Sequence, residues 1–208
     1  MNQFRNAITA LVCVGIFVVF LFAMIPAEWG APSENAVKTE ARSQARMIVA
    51  AVNAYYEDNH KYPVATPAGG VVVFSSDNNT LFDVLRDCTG PKSGNALNPR
   101  NVAYVEAPVA SDQAHPCNGV QLSTGIWFDP WGSPYRIAID TTGSGELNGS
   151  KTTIPGFYTD VGPLKASVIV WSLGKNGELG GGPATKPGFK KESGSPGVYA
   201  GSGDVGSW

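Results

Sequence analysis

The sequence predicts an α+β protein with an N-terminal transmembrane helix, a long amphipathic helix packed on a small antiparallel β-sheet, and a glycine-rich C-terminal loop. Three observations predict it. An uncharged apolar stretch stands near the start of the chain, a stripe of apolar residues at helical spacing follows it, and short β-branched segments separated by turn residues fill most of the remainder. The 208 residues include 25 glycines and 15 prolines, which favours many turns over a helical bundle.

The first element is the apolar stretch at residues 7–25. Its 19 residues would span roughly 28 Å as a helix, close to the thickness of the hydrocarbon core of a bilayer. Arg5 precedes the stretch, and a positive charge on that side favours a cytoplasmic N-terminus. A cleaved signal peptide is the alternative, although its apolar region is usually shorter. We expect a membrane anchor with a proline-containing break over 1–32 and an exported domain over 33–208.

The second element is an amphipathic helix over residues 33–59. Ser33 can cap it, and Pro63 requires that it has ended. The small early residues of its apolar stripe predict packing against a partner helix, and the large later ones predict packing on the chain's own sheet. Alternatively, the whole stripe belongs to the internal core. The stripe consists of Val37, Ala41, Ala45, Ile48, Val52 and Tyr55.

Residues 60–172 carry the signals of loops and a small sheet. A short helix is predicted over 79–86. The three predicted strands from Gly125 onward should form an antiparallel sheet against the long helix. Residues 173–208 are predicted to be a glycine-rich loop that ends in an aromatic anchor, Trp208. The predicted strands are 71–74, 102–105, 125–128, 135–139 and 167–171.

Composition and motifs exclude several classes of function. The formal net charge is −2, so the chain lacks the basic excess that general binding of a phosphate backbone needs. Only two histidines are present, and neither a serine-nucleophile motif nor a phosphate-binding glycine loop occurs. We therefore expect a protein that is not an enzyme, with no catalytic residues, no cofactor-binding residues and no nucleic-acid partner.

Two cysteines fall in the predicted exported part, where a disulfide can persist. Cys88 and Cys117 are 29 positions apart, a separation that is compatible with a bridge closing the intervening loop. Two free thiols are the alternative, because spacing alone does not show that the two side chains meet.

Four segments of the chain carry a family resemblance. They read VNAYYEDNHKYP at 52–63, NPR at 98–100 with Glu106 after it, FDPWGSPY at 128–135, and WSLGKNG at 171–177 with DVGSW at 204–208. In this order they resemble the type IV pilin superfamily, and most closely the major pseudopilin of type II secretion. The start of the apolar run departs from that pattern. Around Arg5 it lacks both the glycine of the usual cleavage motif and the glutamate that normally follows.

The resemblance implies a structural subunit of a type II secretion pseudopilus or a related type IV pilus-like filament. Such a subunit is anchored in the bacterial inner membrane by one span, with its C-terminal domain in the periplasm, and it assembles with copies of itself or with other pseudopilins. The atypical start of the chain leaves an alternative open. The chain would then be a non-assembling, membrane-anchored periplasmic binding module with a pilin-like fold.

The resemblance also implies a calcium site in the C-terminal loop. Carried over residue by residue, its ligands would be the carbonyl oxygens of Leu173 and Glu178 and the side chains of Asn176 and Asp204. Residues 140–146 show a weaker calcium-loop pattern. There the residue types favour an ordinary β-hairpin turn.

Overall fold

The computed structural model describes residues 32–65, 69–86, 96–180 and 197–208. Two α-helices and six short strands are assigned in these residues. The helices are α1 (Glu34–Asn59) and α2 (Asn79–Leu85); the strands are β1 (Val71–Phe74), β2 (Gly119–Val120), β3 (Trp127–Phe128), β4 (Arg136–Asp140), β5 (Val168–Ser172) and β6 (Val205–Gly206). A single 3₁₀ turn, Gly174–Asn176, follows β5.

Four of the strands form one antiparallel sheet in the order β1-β4-β5-β6. Ile139 of β4 pairs with Val72 of β1 and with Val168 of β5, so β4 is a central strand. The two-residue strand β6 closes the other edge, where Val205 pairs with Ser172. A separate two-stranded sheet joins β2 and β3. The C-terminal residues therefore take part in the main sheet.

Both faces of the main sheet are covered, and strand periodicity assigns the side chains to each face. On one face α1 packs on β5 and β6, and α2 packs against α1; the opposite face carries a second apolar cluster. The first core includes Ile48, Val52, Tyr55, Phe82, Trp127, Ile137, Ile139, Val168 and Val170; the second includes Ala138, Leu147, Ile154, Phe157, Tyr158, Ile169 and Trp171. Burial on both faces explains why β5 is a continuous apolar run.

Polar side chains attach the helices to the sheet at two points. The buried Asn78, just before α2, donates to the carbonyl oxygens of Trp127 (3.1 Å) and Tyr135 (2.9 Å) and accepts from the Trp127 amide (3.0 Å). The Tyr135 hydroxyl lies under α1, where it is 3.0 Å from Oε1 of Gln44 and 3.2 Å from the carbonyl oxygen of Ala41. These bonds satisfy polar groups that burial would otherwise leave without partners.

The predicted fold class and localisation require correction. Both included a membrane-spanning helix, but within the described ranges no helix is long and apolar enough to cross a bilayer. The longest, α1, carries charged side chains along its length, which hydrocarbon does not accommodate. The segment predicted to be the anchor, 7–25, lies outside the described residues. The prediction of a single-pass inner-membrane protein is therefore withdrawn.

The segment 102–105 is not the strand that its apolar residues predicted. The amides of Tyr104 and Val105 both donate to the carbonyl oxygen of Leu85, at 2.8 and 3.2 Å, and Ala103 makes an isolated bridge with Arg86. The segment thus fastens the end of α2 and does not extend the sheet.

Substitutions at two adjacent positions of α1 test the helix orientation. Ile48 is fully buried and Met47 is 40% exposed. Ile48→Ala should lower the free energy of unfolding by about 2–5 kcal/mol, because it removes buried methyl groups and leaves a cavity. Met47→Ala is the control and should change it by less than about 0.5 kcal/mol. Urea unfolding followed by circular dichroism measures both, and equal losses would contradict this orientation.

Candidate functional site

The turn Asp129–Ser133 is organised by one buried carboxylate. Oδ1 of Asp129 accepts from the amides of Trp131 (2.9 Å) and Ser133 (2.8 Å). Gly132 has φ of +91°, which a side chain would strain, and its amide donates to the carbonyl oxygen of Asp129. The turn therefore requires glycine at position 132 for its positive φ and a side-chain acceptor at position 129 for its amides.

The same carboxylate joins this turn to the end of β5. Oδ2 of Asp129 accepts from the Ser172 hydroxyl at 2.5 Å, and Oγ of Ser172 accepts from the Gly174 amide at 3.0 Å. Burial raises the pKa of Asp129, and the hydrogen bonds from Ser172 and the turn amides partly oppose that effect. Two of the segments that carry the family resemblance, 128–135 and 171–177, thus meet through one hydrogen bond.

The four candidate calcium ligands lie near the start of the C-terminal loop and at its return. Leu173 is buried after β5, and Asn176 ends the 3₁₀ turn with its Oδ1 accepting from the Glu178 amide at 3.1 Å. Asp204 is buried, and its Oδ2 accepts from the Tyr158 hydroxyl (2.6 Å) and the Gly180 amide (2.7 Å).

The two side chains of this donor set are already hydrogen-bonded within the protein. Ca²⁺ takes six to eight oxygen ligands. Here the carboxylate of Asp204 and the amide oxygen of Asn176 accept hydrogen bonds from protein donors. Among the residues that the structure describes, no group of three or more His, Cys, Asp or Glu side chains could hold a metal. Burial, with the charge of Asp204, raises the pKa of Tyr158, so this hydroxyl keeps its proton and donates it.

The turn after β4 is closed by its own side chains. Asp140 is buried and accepts from the Thr142 amide (2.8 Å), the Ser144 hydroxyl (2.8 Å) and the Gly145 amide (3.0 Å). Burial raises the pKa of Asp140, but these hydrogen bonds outweigh it and hold the pKa below its usual value. Residues 140–146 thus form a turn closed by a carboxylate, but it is not the predicted β-hairpin turn, because the next strand, β5, begins only at Val168.

Of the two cysteines in the predicted disulfide, the structure describes only Cys117, which is half-buried. Cys88 lies outside the described residues, so its pairing with Cys117 stays a prediction.

The small residues of α1 face inward, contrary to the expected contact with a partner helix. Ala41 and Ala45 are fully buried, and Ala45 belongs to the first core. From Ala41 to Tyr55 the stripe is internal, as the alternative interpretation held, whereas Val37 near the start of the helix is only half-buried. Sequence reasoning missed the opposite face, where exposed residues follow the helical spacing of four, three and four positions; these are Ser43, Met47, Ala50 and Ala54.

A cleft of about 490 Å³ lies beside the C-terminal end of α1. Its aromatic wall is the stacked pair Tyr56 and Tyr62, with ring centroids 4.6 Å apart. Lys61 and the turn residues 141–143 also line it. A volume of this size falls in the range of small-molecule sites.

Comparison with protein-family models, curated proteins and solved structures found no match to this chain. The resemblance to type IV pilins therefore depends on the sequence segments and stays a prediction.

Substitution of Asp129 tests the buried turn. Asp129→Ala leaves two amides and the Ser172 hydroxyl without an acceptor, and it should cost more than about 3 kcal/mol of unfolding free energy. Asp129→Asn is the matched control and should cost less than half as much, because its amide oxygen still accepts from the turn. Urea denaturation measures both. Equal losses would contradict the view that the oxygen accepting from the turn amides stabilises the turn.

The lowered pKa of Asp140 predicts a dependence of stability on acid. The contribution of Asp140 to the free energy of unfolding is fully present above its unfolded-state pKa of about 3.9. It is lost as the pH falls through the lower pKa of the folded state. Thermal unfolding between about pH 5 and pH 2 should show a smaller loss for Asp140→Asn than for the unsubstituted protein. Identical pH profiles would mean that Asp140 titrates alike in the folded and unfolded states.

Proposed function

We propose that this chain is a structural subunit of a type II secretion pseudopilus or a related type IV pilus-like filament, assembling through α1. The observation that carries the proposal is the exposed face of α1 formed by Ser43, Met47, Ala50 and Ala54, called the outer face below. The family resemblance of the sequence supports the same function. Assembly requires such a face, because the inner face is used by the chain's own sheet.

The outer face has the composition of a helix-packing surface. Three of its four residues are small, which allows a second helix to approach closely, since the distance between helix axes depends on the side chains at the contact. Its large residue, Met47, is 40% exposed. The flexible thioether side chain of methionine adapts to irregular gaps in an interface.

The charges on α1 are distributed in a way that suits a staggered second copy. Arg42 and Arg46 are exposed on the N-terminal half and form no ion pair with any residue that the structure describes. Glu57 and Asp58 are exposed on the C-terminal half, where Asp58 pairs with Arg100 at 3.4 Å. Arg46 and Glu57 are about 16 Å apart along the helix axis. A parallel copy shifted by that distance would bring opposite charges together, and repeating such a heterologous contact gives an open filament.

A second candidate function is supported by the cleft beside α1. A binding module that does not assemble would use a concave, partly aromatic site, and the cleft between Tyr56, Tyr62 and residues 141–143 has that form. This function requires no contact through the outer face, so the two candidates differ in whether chains associate through α1.

Crosslinking between copies tests assembly through the outer face. The double variant Met47→Cys/Ala54→Cys, with the three native cysteines replaced by serine, should give a ladder of dimers, trimers and larger species with a bismaleimide in cells that express the full chain. Two cysteines per chain are needed, because one can link only a pair.

The matched control is Ser76→Cys/Ser150→Cys, which places two exposed cysteines away from α1. It should give monomers under the same conditions. Equal ladders from both variants would contradict assembly through α1. Monomers from both variants would also contradict it, and they would favour the binding module.

A further inference from the structure

The C-terminal segment 197–208 is held to the rest of the domain by the turn at residues 157–160. The Thr159 amide donates to the carbonyl oxygen of Gly197 at 2.8 Å. The two carboxylate oxygens of Asp160 accept from the amides of Tyr199 and Ala200, each at 2.7 Å. Aromatic contacts add to these bonds, because Phe157 and Trp208 lie 5.7 Å apart between ring centroids. The segment is thus fastened along most of its length.

Asp204 is the buried polar group at the centre of this attachment. Tyr158 and Gly180, which donate to its Oδ2, belong to two other parts of the chain. One carboxylate therefore connects the turn 157–160, the loop after β5 and the C-terminal segment. Hydrogen bonds to a charged, buried acceptor are among the stronger ones in proteins.

Backbone contacts occupy the space between the two arms of the loop. Gly174 has φ of +63°, and a Cβ added there would lie 2.3 Å from the carbonyl oxygen of Gly203. A Cβ added to Gly180 would lie 2.5 Å from Cα of Gly197. The two arms of the loop are therefore in direct backbone contact at two points, which lie on either side of Asn176 and Glu178 along the chain.

We infer that protein hydrogen bonds close the C-terminal loop without a calcium ion, with Tyr158 and Gly180 holding Asp204 where the family resemblance implies a metal. The closure is a property of the domain itself and is independent of whether chains assemble. The geometry gives Tyr158 a positioning role, in which its hydroxyl replaces a cation as the partner of the carboxylate.

Thermal unfolding of the full chain in EDTA, CaCl₂ and MgCl₂ tests this inference. The melting temperature should agree within about 1 °C in all three solutions. A calcium site at 100-fold excess of ion over its Kd would raise it by roughly 5–10 °C. Tyr158→Phe should lower the melting temperature by roughly 3–10 °C in EDTA and in calcium alike. The control Tyr56→Phe, at a 38% exposed residue, should change it by less than about 1 °C.

Hydrogen exchange of the unsubstituted chain tests the same inference without requiring that any variant folds. The Gly180 amide, which donates to Asp204, should exchange at the same slow rate with and without calcium. A rise in melting temperature with calcium but not magnesium, or slower exchange at Gly180 in calcium, would overturn the inference. So would a Tyr158→Phe variant as stable as Tyr56→Phe.

Discussion

The fold depends on the hydrogen bond between the Asp129 carboxylate and the Ser172 hydroxyl. The bond holds the turn after β3 against the end of β5. Because this turn leads directly into β4, it determines where β4 begins. Tyr135, just before β4, is thereby placed under α1. On the other side of the bond, Ser172 accepts from Gly174 and so sets the direction of the C-terminal loop. The turn and β5 thus share one buried acceptor, and through Tyr135 and Ser172 it influences the positions of the helix and the loop.

Elements with a strong local pattern could be predicted from the sequence, because their spacing and boundary residues lie close together in the chain. The helix predicted over 33–59 corresponds to Glu34–Asn59, the strand 71–74 is present, and the helix predicted over 79–86 ends at Leu85. The segment 102–105 failed as a strand because its amides bond to α2, a partner that no local pattern shows. The edge strand Val205–Gly206 was missed for a similar reason, since two residues in a glycine-rich stretch carry no alternation.

The candidate site was less predictable, because its geometry is set by residues far apart in sequence. Small residues occur on two faces of α1, and spacing alone does not say which one is covered. Ala41 faces inward because the Tyr135 side chain lies beneath it, with its hydroxyl at the Ala41 carbonyl oxygen. The partner of Asp204 is Tyr158, 46 positions earlier, and neither residue type nor spacing connects the two. The sequence identified Asp204 as a candidate ligand residue, but it could not show that its carboxylate accepts hydrogen bonds from Tyr158 and Gly180.

The contact between Gly180 and Gly197 has a consequence for how the domain could vary. Gly180 and Gly197 are in backbone contact, so the described residues on the two sides of positions 181–196 are adjacent. The entropic cost of closing a loop rises only slowly with its length. Between Gly180 and Gly197, a change in the number of residues should therefore change the closure entropy only slightly.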